Sequence, residues 1–147
     1  MPSPAIQIVT VKPQGYTHSE TFAELAETLR DAFLELGSPT GLAETRFDPT
    51  AVNLVLGWHL LTETQEAELP AQCILYNLEQ MDEGNRPFVD RLVRLSERCE
   101  IWDYSRRNIG ILHRSGFPGA IQHVPIGTMP GLTRIPTAPD QDIDVLF

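Results

Sequence analysis

Residues 5–11 read AIQIVTV, a short run dense in isoleucine and valine that stops at Pro13 and Gly15. β-Branched side chains favour extended backbone, and a run apolar on both alternating faces suits a strand covered on both sides. The stretch is therefore expected to be an interior strand. The residues after it decide how it pairs. Beyond the polar segment 14–20, QGYTHSE, Thr21 and Glu24 have the spacing of a capping box. Phe22, Leu25, Leu29, Phe33 (or Ala32) and Leu36 then recur at helical spacing, and Gly37 is placed to end the helix. A second buried-strand pattern, AVNLVLG, occupies residues 51–57. Strand, helix and strand make a βαβ unit, whose crossover demands parallel strands and is almost always right-handed.

The alternation continues along the chain. Residues 72–78 are a third strand candidate, after TETQEAELP (62–70), which reads as a short helix or a loop. Residues 87–98, PFVDRLVRLSER, have Pro87 at the first helical position and Phe88, Leu92 and Leu95 on one face. EIWDY (100–104) is a fourth strand candidate. Residues 106–115 form a short amphipathic helix through Ile109 and Leu112, closed by Gly116, and residues 121–126 are a fifth strand candidate. The expected fold is α/β: an open, mostly parallel Rossmann-like sheet with helices on both faces. Residues 1–130 form this domain. Residues 131–147 read as a linker rich in Pro, Gly and Thr, followed by DIDVLF, the start of a further strand. That tip either pairs into the same sheet or continues into a second domain; the expectation is a chain truncated before that second domain.

Composition sets bounds on function. At 147 residues, 41% hydrophobic and 21% charged, the chain is an ordinary globular domain with a core of its own. A formal charge of −9, with Lys12 the only lysine, argues against nucleic acid or an anionic membrane as partner. The arginines between Arg86 and Arg114 read as a solvated helix face before they read as an anion site. Cys73 and Cys99 lie in apolar runs without metal-ligand spacing, so free buried thiols, no metal and no cofactor are expected. No run approaches the roughly 20 apolar residues of a membrane span, and the first residues lack a signal-peptide pattern, so the expected location is cytoplasmic.

In open parallel sheets ligands bind outside the carboxyl ends of the strands, at the point where strand order reverses. The residues after each strand are therefore the ones to weigh. CILYNLEQ (73–80) runs from a buried strand into Asn77, Glu79 and Gln80. The other strand ends supply Tyr16 and His18, Trp58 and His59, and Asp103, Tyr104, Ser105 and Asn108. Such a set suits a hydroxyl-rich ligand, which needs many donors and acceptors and one base. His18 and Glu79 are the candidate catalytic groups. Tyr16, His59, Asn77, Gln80, Asp103, Tyr104 and Asn108 are the candidate binding groups. Each has a plainer alternative: His18 in the first turn of a helix, His59 a hydrogen-bonded core histidine beside Trp58, Glu79 a cap, Ser105 an N-cap, Asn108 a first-turn residue. The P-loop, the dinucleotide fingerprint, the nucleophile elbow and HExxH are all missing, and no acidic pair follows the first strand as a phosphoacceptor site would need.

The segments PQGYTHSETFAELAETL, NLVLGWHLL, ILYNLEQ, IWDYSRRNIGIL, HVPIGTMPGL and IDVLF, in this order, resemble the amino-terminal half of bacterial glycosyltransferase-like proteins of the GT-B type. The resemblance runs from about Ile6 to Phe147, with YNLEQ and WDYSxxN its most specific parts. It implies two Rossmann-like domains facing across a cleft, the amino-terminal one shaping the acceptor site and the carboxy-terminal one holding a nucleotide-sugar donor. Carried over by position, it points to His18, His59, Glu79, Gln80, Asp103, Tyr104 and Asn108. The expected function is thus the acceptor-side domain of such an enzyme, inactive alone, with a hydroxyl-bearing acceptor and the donor held by a second domain. The alternative is a non-catalytic α/β module for a ligand or a protein, including a homo-oligomer formed through the carboxy-terminal strand. A stand-alone flavodoxin-shaped enzyme ranks last, for want of a phosphate-binding loop.

Overall fold

The computed structural model describes residues 4–131. The segment DIDVLF, expected to begin a strand, lies outside the described residues. Six strands form one sheet in which every neighbouring pair is parallel: β1 (Ile6–Thr10), β2 (Thr40–Glu44), β3 (Val52–Leu56), β4 (Cys73–Asn77), β5 (Glu100–Asp103) and β6 (Ile121–His123). Their spatial order is β2-β1-β3-β4-β5-β6. The order reverses between β1 and β3, so the loops leaving those two strands border the crevice where open α/β sheets bind ligands. The fold is an open Rossmann-like α/β sheet.

Strand composition explains the order. β1 and β3 are central, and Ile8, Val9, Leu54, Val55 and Leu56 are wholly buried. Successive residues face opposite sides, so Val9, Val55, Leu75 and Ile101 enter one core while Ile8, Leu54, Leu56 and Tyr76 enter the other. The first core is closed by α3 (Arg86–Leu95) through Val89, Leu92 and Leu95, and by α4 (Arg106–Arg114) through Ile111 and Leu112. The second is closed by α1 (Ala23–Glu35) with Leu25, Ala26, Leu29 and Phe33. Burying one leucine such as Leu54 or Leu92 stabilises by roughly 1.5–3 kcal/mol, so these two clusters hold the sheet between its helices.

Four sequence readings are corrected. The first helix does not start with a Thr21–Glu24 capping box: Thr17–Phe22 is a 3₁₀ segment, and the Thr21 hydroxyl donates to the His18 carbonyl at 2.7 Å. The partner of β1 across α1 is β2, a strand the sequence hid; residues 51–57 supply β3, on the other side of β1. Leu36 is 75% exposed, because the helix ends there. Gly37, at φ +79°, donates to the Leu34 carbonyl and Ser38 to that of Phe33, a left-handed stop that a glycine adopts without strain. The last strand ends at His123 and not at residue 126. The uncertain segment 62–70 contains a helix, α2 (Glu63–Ala67), and here a true capping box forms between Thr62 and Gln65.

β2 reaches β3 by residues 45–51 without a helix, with Phe47 packed on the α3 side. α1 therefore lies on one face, and this crossover with α2, α3 and α4 serves the other. Right-handed crossovers require that exchange of faces when strand order changes direction.

Candidate functional site

The loops leaving β1 and β3 are locked together at Gly57. This residue has φ +74°, and a Cβ there would lie 2.9 Å from Cε2 of Phe22. Glycine is thus required twice, by conformation and by the ring seated against it. Phe22 in turn reaches the His59 ring at a centroid distance of 6.5 Å, while Trp58 and Phe88 stand 6.2 and 6.3 Å from it. Arg91 donates to the His59 and Leu61 carbonyls and lies 5.6 Å from the Trp58 ring centre. His59 is therefore fixed on a short 3₁₀ turn, Trp58–Leu60, inside a largely aromatic wall.

Facing it is Glu79, two residues beyond β4. His59 Nε2 and Glu79 Oε1 are 3.6 Å apart, with side chains 19% and 41% exposed. The gap exceeds a direct hydrogen bond. Burial pushes the His59 pKa below the ordinary histidine value, the Glu79 carboxylate pulls it back up, and Arg91 lowers it further. Burial is the largest of these influences and favours the neutral imidazole, the form that can accept a proton. Glu79 would then stabilise the cation formed.

Two residues away the same border is used differently. Asn77 and Asp103, the last residues of β4 and β5, are wholly buried, and Asn108 in the first turn of α4 is 3% exposed. Asn77 Oδ1 accepts from Trp58 Nε1 at 3.2 Å, and its Nδ2 donates to Asp103 Oδ2 at 2.7 Å. Asp103 Oδ1 accepts from the Ser105 backbone at 2.7 Å and from Asn108 Nδ2 at 3.1 Å. Asn108 closes the network, donating to the Glu79 carbonyl at 2.8 Å and accepting from the Met81 backbone at 3.0 Å. Burial raises the Asp103 pKa above the ordinary carboxylate value; the bonds from Asn77, Ser105 and Asn108 oppose the shift. Ser105 caps α4 through Asn108 N. The trio pins the loop that carries Glu79, and its polar side-chain atoms are all hydrogen-bonded, although Asn108 also borders a cleft.

The remaining candidates are more open. Tyr16 is 40% exposed, with its ring 5.4 Å from that of His18, which is exposed as well. Among the described residues no hydrogen bond or ion pair joins His18 to Glu79; the histidine beside Glu79 is His59. Gln80 and Tyr104 line a cleft of about 720 Å³ together with Ser105, Arg107 and Arg114. A smaller cleft of about 350 Å³ opens between Phe22, Leu25, Leu78 and Ile126. Leu78 borders the smaller cleft and Gln80 the larger, so the chain at Glu79 passes from one to the other. The larger cleft is bounded by Asp82 and Glu83 as well as its arginines, and Glu83 is already paired with Arg114 at 2.7 Å. The chemistry of a base points instead to His59.

Sequence reading misses Phe22, Phe88 and Arg91 as parts of the site. Phe22 and Phe88 fit helix-face positions, and only the glycine at 57 hints at a close approach. No three His, Cys, Asp or Glu side chains among the described residues converge as a metal site. No helix of the described residues is long and apolar enough to cross a membrane.

Fold and border together define a Rossmann-like α/β domain with a histidine–carboxylate couple beside its point of strand reversal. No protein-family model, curated protein or solved structure matches the chain.

Proposed function

We propose that the chain is the acceptor-side domain of a GT-B-type glycosyltransferase, in which His59, held in its aromatic wall and faced by Glu79, deprotonates an acceptor hydroxyl. The observation that carries this reading is the 3.6 Å approach of His59 Nε2 to Glu79 Oε1 at the carboxyl border of the sheet, next to the β1–β3 reversal. The resemblance of the YNLEQ and WDYSRRN segments supports the same class. Tyr16, His18 and Gln80 contribute exposed polar and aromatic surface, and Tyr104 a half-buried ring, for a hydroxyl-rich acceptor. Asn77, Asp103 and Asn108 act through the loop they hold. The donor, a nucleotide sugar, belongs to a second Rossmann-like domain working with this one.

In an inverting reaction the acceptor oxygen attacks the anomeric carbon and its proton passes to His59; the nucleotide diphosphate leaves with the bonding pair. General-base assistance of this kind is worth about 10²–10⁴ in rate. The test pairs the chain with a donor-binding domain, fused or added, and measures sugar transfer to methyl glycosides and disaccharides. Transfer that falls on His59→Ala supports the proposal. Transfer unchanged in both His59→Ala and Glu79→Ala removes the couple from the chemistry. Saccharide binding by the chain with no transfer under any pairing favours the alternative, a non-catalytic binding module.

A further inference from the structure

The two cysteines are not independent core residues. Cys73 opens β4, and Cys99 immediately precedes β5; the ladder between these neighbouring strands begins with Ile74 opposite Glu100. Cys73 and Cys99 therefore stand side by side, one residue ahead of that first pair. Parallel neighbours are about 4.8 Å apart, inside the roughly 4.4–6.8 Å Cα span that a disulfide bridges. Their side chains share one face and belong to the same buried core as Leu75, Leu95 and Ile101. Both are free thiols, 4% and 5% exposed. The whole chain holds two cysteines, so each has one intramolecular partner.

We propose that Cys73 and Cys99 form a reversible dithiol–disulfide site that, when oxidised by a hydroperoxide, staples β4 to β5 at the amino edge of the sheet. The chain neighbours Ala71 and Gln72 on one side, and Glu97 and Arg98 on the other, are exposed, so the buried pair lies next to the surface along the chain. Cys99 is the attacking sulfur. The neighbouring Cys73 thiol and the Arg98 guanidinium lower the Cys99 pKa against the opposing effect of burial, whereas Cys99 and burial raise that of Cys73. Arg98 is itself positioned by its bonds to the Glu66 and Leu69 carbonyls. The Cys99 thiolate attacks one peroxide oxygen, the O–O bond breaks, and a sulfenic acid forms with release of hydroxide, which takes a proton as water. The Cys73 sulfur then attacks the sulfenic sulfur, the S–O bond breaks, and a second water leaves as the disulfide closes. Two thiols lose two electrons and two protons; the peroxide gains both. A dithiol reductant reverses the step by exchange.

The site lies at the end of the strands opposite the His59–Glu79 couple, and it stands or falls independently of the proposed glycosyl transfer. The expected consequence is stability. Closing the loop that contains α3 restricts the unfolded chain, for an increase in Tm of roughly 5–10 °C.

The experiment treats the purified reduced chain with a few equivalents of hydrogen peroxide, quenches, and alkylates under denaturing conditions. Intact mass and peptide mapping then follow the sulfurs. The expected result is a loss of two hydrogen masses, no alkylation, and a peptide joining Cys73 to Cys99, all reversed by dithiothreitol. Both thiols still alkylated, a mass gain from sulfinic or sulfonic acid, or a disulfide between two chains would each overturn the proposal. Cys73→Ser should stop oxidation at the sulfenic acid on Cys99, trapped by dimedone; the wild-type measurement decides the matter if that variant does not fold.

Discussion

Along one border of one sheet, two polar clusters have opposite fates. Between β4 and β5, Asn77, Asp103 and Asn108 are buried and spend their polar atoms on one another, on Trp58, on the Ser105 backbone and on the backbone of the Glu79 loop. Between β1, β3 and β4, His59 and Glu79 stop 3.6 Å apart and half-open, with Tyr16 and His18 exposed beside the β1 loop. Polar residues at strand ends are not evidence of a site by themselves. What separates the two clusters is satisfaction: a closed network builds a scaffold, and unspent donors and acceptors are left for a ligand.

That contrast can be broken by substitution. The largest effect is expected in chemistry: His59→Ala should reduce transfer by about 10²–10⁴, with a smaller loss of unfolding free energy than Asp103→Ala, read by paired assays and urea melts. Asp103→Ala should do the reverse. It orphans buried donors on Asn77, Asn108 and Ser105, and urea unfolding should show a loss of about 3–4 kcal/mol. Next, Gly57→Ala strains a left-handed backbone and drives a methyl against Phe22; a loss of about 1–3 kcal/mol is expected, with a shifted His59 resonance.

The smallest effect is a pair of opposite pH signatures. His59 has a folded pKa below its unfolded value, so its contribution is fully present above about pH 6.5 and is lost as pH falls towards the folded pKa. Asp103 has a folded pKa above its unfolded value, so its contribution is present below about pH 3.9 and is lost as pH rises through the folded pKa. Stability profiles of His59→Gln and Asp103→Asn should each lack one limb. Proton NMR should also place the His59 pKa lower still in Glu79→Gln, because the carboxylate raises it.

The sequence announces the scaffold better than the site. β1 and β3 are buried on both faces, so their runs of Ile, Val and Leu could only be interior strands. β2, TGLAE, has one large apolar residue, Leu42, and that is 42% exposed; as an edge strand it has no core-facing pattern to display. TETQ at 62–65 carries a capping-box pattern as good as that of Thr21 and Glu24, and only the former forms, because a 3₁₀ segment precedes α1. The His59–Glu79 couple is hidden for a different reason. Both residues are visible in the sequence, but their meeting depends on β3 and β4 being neighbours in register, with Leu56 opposite Tyr76. No spacing in the chain encodes that, and by sequence His18 is the preferred base and His59 a binding group.

The division of the border is tested most directly by titrating the isotope-labelled chain with methyl glycosides and disaccharides and following its amide, side-chain amide and histidine resonances. Shifts concentrated at Tyr16, His18, Gly57, His59, Glu79 and Gln80, with the side-chain amides of Asn77 and Asn108 unmoved, are expected. Saturable shifts confined to the outer faces of α3 and α4, or first appearing at Asn77 and Asn108, would contradict it.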